Sequence, residues 1–221
     1  MMSLYQRLGM QRDFIFQIGF NKCATTALLW LFTNSGVPTL HGAGRKYRRT
    51  GHHTVSLRHP QITIHHNICA GLPPVTGLED FSAFLDMEHV RTKDGMIVEN
   101  FKFFDRFAAA YPNAKFILNL RDKSDWLRSR ARHAKGEYLS LAMRRLNMDQ
   151  DMVLARWADE FDRHNAAVRN FFEKEEDRLV VFDIDNDPVE KIVDFCAPNF
   201  VLDPVHWGAT RITDSLGAKQ G

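Results

Sequence analysis

The chain has 221 residues, 44% of them hydrophobic and 25% charged, with a formal net charge of +2. That composition supports one domain with a sizeable core, and the near-neutral balance argues against a nucleic-acid-binding or polybasic membrane-tethered protein. No apolar run approaches the roughly 18 residues of a membrane span, and no long apolar signal core opens the chain, so a cytoplasmic protein is the default expectation.

In chain order, Asp13 to Gly19 (DFIFQIG) reads as a buried strand, and Ala24 to Gly36 as a helix following it. The section from His41 to Pro74, rich in Gly, His and Pro, reads as loops with a short strand or two. Gly95 to Asn100 (GMIVEN) then predicts a strand, Phe101 to Tyr111 a helix, Lys115 to Arg121 (KFILNLR) a strand, and the stretch from Ser124 a long helix. Met152 to Glu176 has helical period, with Trp157, Phe161, Val168, Phe171 and Phe172 near one face, and the strand RLVVFDI follows. Strands this apolar belong inside a parallel sheet covered by helices. The fold class predicted is therefore α/β, a central parallel sheet flanked by helices with a helical C-terminal part. One domain spans residues 1–221, and residues 215–221 form a flexible tail. The cysteines Cys23, Cys69 and Cys196 are scattered, with no C-x-x-C pair, and predict reduced thiols rather than a disulfide framework or zinc knuckle.

Two polar hinges interrupt this apolar pattern. Gly19 ends the first strand, and Thr25 and Thr26 open the first helix. Backbone amides and the positive end of the helix dipole would converge there on one point, with Lys22 adding a full charge. A nucleotide-triphosphate loop needs G-x-x-x-x-G-K-[ST], which this spacing does not supply. The plainer alternative is a capped helix beside a solvated lysine. The second hinge is Arg121 and Asp122 at the end of a strand, with Ser129 on the next helix. Ligands gather beyond the carboxyl ends of parallel strands, so Arg121 would share an edge with Lys22. A structural Arg–Asp ion pair is the alternative.

Taken together, the two hinges resemble the sulfotransferases that use 3′-phosphoadenosine 5′-phosphosulfate (PAPS). The family loop G-x-x-[KR]-x-[GA]-T-[TS] is matched by Gly19, Lys22, Ala24, Thr25 and Thr26, and its strand-end Arg-Asp with a serine eight residues after the arginine by Arg121, Asp122 and Ser129. Tyr111, Pro112, Ala114, Lys115, Phe116 and Ile117 match the family's lead-in to that strand. The resemblance implies a P-loop-like sulfotransferase fold and transfer of a sulfonyl group from PAPS to a hydroxyl or amine, leaving PAP. It also implies that the loop through Asn21, Lys22, Cys23, Ala24, Thr25 and Thr26 holds the 5′-phosphosulfate, with Arg121 and Ser129 on the 3′-phosphate. The acceptor would be a carbohydrate or small metabolite. A C-terminal basic loop usually closes over the 3′-phosphate, and HWGATRITDS, with Gly208 and Arg211, is the candidate.

Sulfonyl transfer needs donors where charge develops on the leaving phosphate, a role for Lys22, and a base for the acceptor. Glu99 leads, as an acid ending an apolar strand on the ligand edge. Heparan sulfate 3-O-sulfotransferases similarly have an apolar strand ending in a catalytic glutamate followed closely by a lysine, although here Asn100 and Phe101 precede Lys102 and no proline follows. Glu99 could instead simply pair with Lys102. His41 is the alternative base, with His65 or His66 behind it. No Asp or Glu occurs between Asp13 and Glu79, whereas Arg45, Lys46, Arg48, Arg49 and Arg58 do, so the segment favours an anionic acceptor or cofactor, or is a solvated loop. The pairs His52-His53 and His65-His66 lack an accompanying thiolate pair, and no metal site is expected. A nucleotide kinase and a noncatalytic nucleotide-binding protein are the rival readings.

Overall fold

The computed structural model describes residues 13–42, 59–91, 93 and 95–208. Strand β1 (Ile15–Gln17) leads into helix α1 (Thr25–Asn34), followed by β2 (Thr39–His41), α2 (Pro60–Cys69), β3 (Ala83–Leu85), β4 (Glu88–Arg91) and β5 (Met96–Glu99). After a 3-10 turn (Asn100–Phe103) come α3 (Phe104–Ala110), β6 (Lys115–Leu120), α4 (Lys123–Ala131), α5 (Glu137–Leu146), α6 (Gln150–Phe171), β7 (Leu179–Asp183) and α7 (Glu190–Cys196).

Five strands form one sheet in the order β2-β3-β1-β6-β7, every neighbouring pair parallel. Because successive strand residues face opposite sides, each strand serves two cores. Phe16, Phe84 and Phe116 join α3, α4 and α6 through Phe107, Trp126, Trp157 and Phe161 on one face. Ile15, Ala83, Leu85 and Ile117 meet α1 and α7 through Leu28, Leu31, Phe32 and Ile192 on the other. This explains why the strands read as continuously apolar: both faces are covered. Helix α6 buries Val153, Trp157, Phe161, His164 and Val168, a spacing of three and four residues that makes one stripe. Its start is fixed by Asp149, whose side chain accepts from the Met152 amide at 2.8 Å.

Four expectations change. The section after His41 holds helix α2, with Pro60 in its first turn and the His59 ring accepting from the Gln61 amide. Its buried face is Gln61, Ile64 and Asn67, too polar to register as an apolar stripe. Strand β5 lies outside the parallel sheet. It pairs antiparallel with β4, Glu88 opposite Glu99, and Met96 and Ile97 are half-buried. The helix predicted from Ser124 is interrupted where Ala134, Lys135 and Gly136 take left-handed φ values of 50°, 57° and 85°. Phe171, placed on the buried face of α6 by its spacing, is 43% exposed, because Phe172 fills the core instead.

Candidate functional site

The segment from Gly19 to Ala24 crosses the carboxyl edge of β1 and delivers the chain to α1. Its carbonyls are tied down from behind. Gln17 Nε2 donates to the Gly19 carbonyl, Trp126 Nε1 to that of Asn21 at 3.1 Å, Arg121 Nη1 to that of Lys22 at 3.1 Å, and Asn119 Nδ2 to that of Cys23. In a trans peptide the following N–H points opposite its carbonyl, so the amides of Phe20, Lys22, Cys23 and Ala24 are turned away from these donors, toward the outside of the loop. Lys22 and Ala24 sit in the left-handed region, φ 66° and 59°, which turns nearby amides toward one side, as in an anion nest. Helix α1 begins with no side-chain cap and no acid in its first turn, whereas α4 is capped by Asp122. The start of α1 therefore keeps its unbonded amides and its positive dipole end for an anion.

Two fully buried amides hold this arrangement. Gln17 Nε2 also reaches Asn119 Oδ1 at 2.6 Å, and Gln17 Oε1 accepts from the Asp86 amide at 2.7 Å. One glutamine thus fixes β3, β1 and β6 together under the loop. Gly19 is required by this closeness: a Cβ there would stand 2.3 Å from Asn119 Oδ1 and 2.4 Å from its backbone oxygen. Burial pushes the Cys23 thiol up to about 12, so the loop cysteine stays protonated and unreactive.

The structure brings the two sequence hinges together, since Arg121 bonds the Lys22 carbonyl directly. A second guanidinium nitrogen of Arg121 lies 3.8 Å from Asp125. Its Nε is buried with no partner among the described residues. Ser129 is buried on α4. Thr25 is buried and Thr26 half-buried at the start of α1. Lys22 Nζ lies 3.5 Å from His133 Nδ1.

His41 ends β2, and its Nε2 is 3.9 Å from Asp86 Oδ2. Asp86 follows β3 with φ 52°. Burial raises its carboxyl to about 6 against the opposing pull of Lys22 and Arg130. Glu99 is placed differently. Lys102 Nζ is 2.7 Å from its Oε2, Arg130 Nη2 3.5 Å from its Oε1, and Lys102 also meets Glu160 at 3.0 Å. Burial and the neighbouring Glu88 raise its pKa, while Lys102 and Arg130 oppose the rise. Arg130, 1% exposed, links this cluster to the loop: its Nη1 donates to Asn21 Oδ1 at 2.8 Å and to Glu88 at 3.2 Å.

Asp86 and Arg130 were not evident in the sequence. Asp86 ends the short apolar run AFL, which reads too briefly as a strand, and Arg130 sits among other arginines on a helix of ordinary polarity. The signal that could have led there is Gln17 and Asn119, polar residues in apolar strands that sequence reasoning passed over. His65, on α2, lies 3.7 Å from Cys69 Sγ. Among the described residues no group of three or more His, Cys, Asp or Glu side chains is placed to hold a metal ion, and no helix is long and apolar enough to cross a membrane. Arg211, the basic positions Arg45, Lys46, Arg48, Arg49 and Arg58, the pair His52-His53 and the tail from residue 215 lie outside the described residues.

A family model described as a sulfotransferase domain matches residues 15–199, which takes in β1, the loop, all five strands of the main sheet and α7. No curated protein matches the chain.

Proposed function

Because the chain belongs to the sulfotransferase-domain family, we propose that it moves the sulfonyl group of PAPS to a hydroxyl or amine of an acceptor and releases PAP. The observation that carries this reading is the loop from Gly19 to Ala24, with four carbonyls anchored from behind and an uncapped helix start beside Lys22. In-line transfer leaves negative charge on the bridging oxygen and 5′-phosphate, and prearranged amides with one lysine stabilise charge at that point. The loop amides need no rearrangement to do so, because Gln17, Asn119, Arg121 and Trp126 already fix them.

Arg121 and Ser129 take the 3′-phosphate in this reading. The buried, unpartnered Nε of Arg121 favours it, since a guanidinium edge left unmatched by the protein suits a phosphate oxygen. Of the candidate bases, Glu99 has both oxygens on cations, while His41 stands at the carboxyl edge of the sheet beside Asp86. We therefore assign the acceptor's proton to the His41 side of the cleft.

The test is transfer of label from ³⁵S-PAPS to a panel of carbohydrates, phenols and small amino or hydroxyl metabolites, with Lys22→Ala in parallel. Labelled product is expected, and the variant should retain its fold and lose on the order of a hundredfold in rate. A Lys22→Ala variant with near-normal turnover removes the lysine from the mechanism. PAP binding without transfer to any acceptor favours a noncatalytic nucleotide-binding protein.

A further inference from the structure

We infer that Asp86, 3.9 Å from His41 and clamped by the same glutamine as the anion loop, is the group that accepts the acceptor's proton. The inference rests on reading that loop as the phosphosulfate site. Three independent features place Asp86 there.

Its backbone is clamped by the same glutamine that clamps the loop. Gln17 Oε1 receives the Asp86 amide while Gln17 Nε2 holds the Gly19 carbonyl, so the carboxylate and the loop keep one fixed relation. Its left-handed backbone, φ 52°, is a conformation that short polar Asp and Asn adopt more readily than other side chains. That turn carries the carboxylate over Gly42, where a Cβ would come within 2.8 Å of Oδ2. Finally, the cations acting on Asp86 are Lys22 from the loop and Arg130 from α4, and the His41 ring of β2 lies 3.9 Å from it. Among the described residues Asp86 is thus an acid acted on by cations but not held in a tight ion pair as Glu99 is. Burial holds its carboxyl up at about 6, a value that suits proton transfer close to neutral pH.

In the step assigned to it, the acceptor O–H or N–H bond breaks and its proton passes to an Asp86 oxygen. The freed electron pair forms the new bond to sulfur. The bond between sulfur and the bridging oxygen breaks with its pair remaining on the PAP phosphate. His41, 3.9 Å from the Asp86 carboxylate, is then a positioning residue.

The experiment needs no identified acceptor. PAP binding is measured by calorimetry, the aspartate carboxyls are followed by ¹³C NMR, and slow release of ³⁵S-sulfate from PAPS to water is timed across pH, for wild type, Asp86→Asn and Glu99→Gln. One wild-type carboxyl resonance should titrate near 6 and vanish in Asp86→Asn. Its midpoint should move upward when PAP is added, because a phosphate at Lys22 cancels the cation that pulls the value down. Sulfate release should rise with pH through the same midpoint. Asp86→Asn should bind PAP as wild type does, lose that rise and slow by about 10² to 10⁴-fold, while Glu99→Gln keeps the rise. Failure of wild type to bind PAP overturns the phosphosulfate reading itself. PAP binding with a midpoint that does not move, or with Asp86→Asn as fast as wild type, overturns the Asp86 assignment alone. Loss of the pH-dependent rise in Glu99→Gln instead gives the proton to Glu99. Should Asp86→Asn fail to fold, Asp86→Glu takes its place: a displaced resonance with slower sulfate release supports the assignment, and a resonance and rate equal to wild type overturn it.

Discussion

Replacing Arg130 with methionine should be among the most damaging single changes outside the loop. The side chain is 1% exposed, and its partner Glu88 is 3% exposed at 3.2 Å. Arg130 also lies 3.5 Å from Glu99, donates to Asn21 Oδ1 at 2.8 Å, and stacks over the rings of Tyr138 and Trp157 at 4.6 and 5.2 Å. Methionine fills much of the volume but leaves Glu88 buried with Tyr138 as its hydroxyl donor and no cation. Breaking a buried pair in this way costs about 3 to 5 kcal/mol. For a domain of this size that is a fall of roughly 6 to 20 °C in Tm. PAP affinity should fall as well, because Asn21 loses the anchor of its side chain. Differential scanning calorimetry supplies the first number and titration calorimetry the second. Adding Glu88→Gln to Arg130→Met removes the stranded charge and should recover part of the stability without restoring PAP affinity. A single variant that loses less than about 1 kcal/mol, the range of an exposed pair, would refute the view that this cluster is a closed buried network holding the loop.

Arg121→Ala should weaken PAP binding by about 2 kcal/mol, the loss of a charge-assisted contact, and unchanged affinity in calorimetry counts against the whole site. Gly19→Ala should destabilise by about 1 to 3 kcal/mol and weaken PAP binding, since the added methyl meets Asn119 at 2.3 Å; a denaturant midpoint equal to wild type would show that the loop does not lie against β6 as described. His164 is held neutral by burial, its pKa lowered from 6.5 to about 4. Between those values the unfolded chain binds the extra proton, so this residue's stabilising contribution is full above about 6.5 and is lost as pH falls toward 4. The loss of stability between neutral and acid pH should accordingly be smaller in His164→Phe than in wild type, and equal losses would remove His164 from the account.

How much of this was legible in the sequence follows from what each residue reports locally. Strands β1, β6 and β7 announced themselves because both of their faces are buried, and Gly19, Lys22, Thr25 and Thr26 because a polar break between strand and helix has few uses. Helix α2 did not, since it buries Gln61 and Asn67, and β3 did not, since its apolar run AFL is flanked by Ser82 and Asp86. Asp86 was hidden with β3. Glu99 was read as a strand-end acid aimed by the main sheet, but the hairpin of β4 and β5 instead sets it against Glu88, Lys102 and Arg130. That pairing depends on tertiary contacts between four separate elements, and no local pattern encodes it. The roles of Gln17 and Asn119 went unread: amides inside apolar strands are a signal of buried hydrogen bonds, but the groups they reach lie on other elements.

The central claim is that the loop before α1 is built for the phosphosulfate end of a 3′-phosphorylated nucleotide. Titration calorimetry of the full chain with PAP, and separately with ATP and magnesium, tests it most directly. The account predicts saturable binding of PAP, weakened in both Lys22→Ala and Arg121→Ala. Binding of magnesium–ATP with no response to PAP would contradict it.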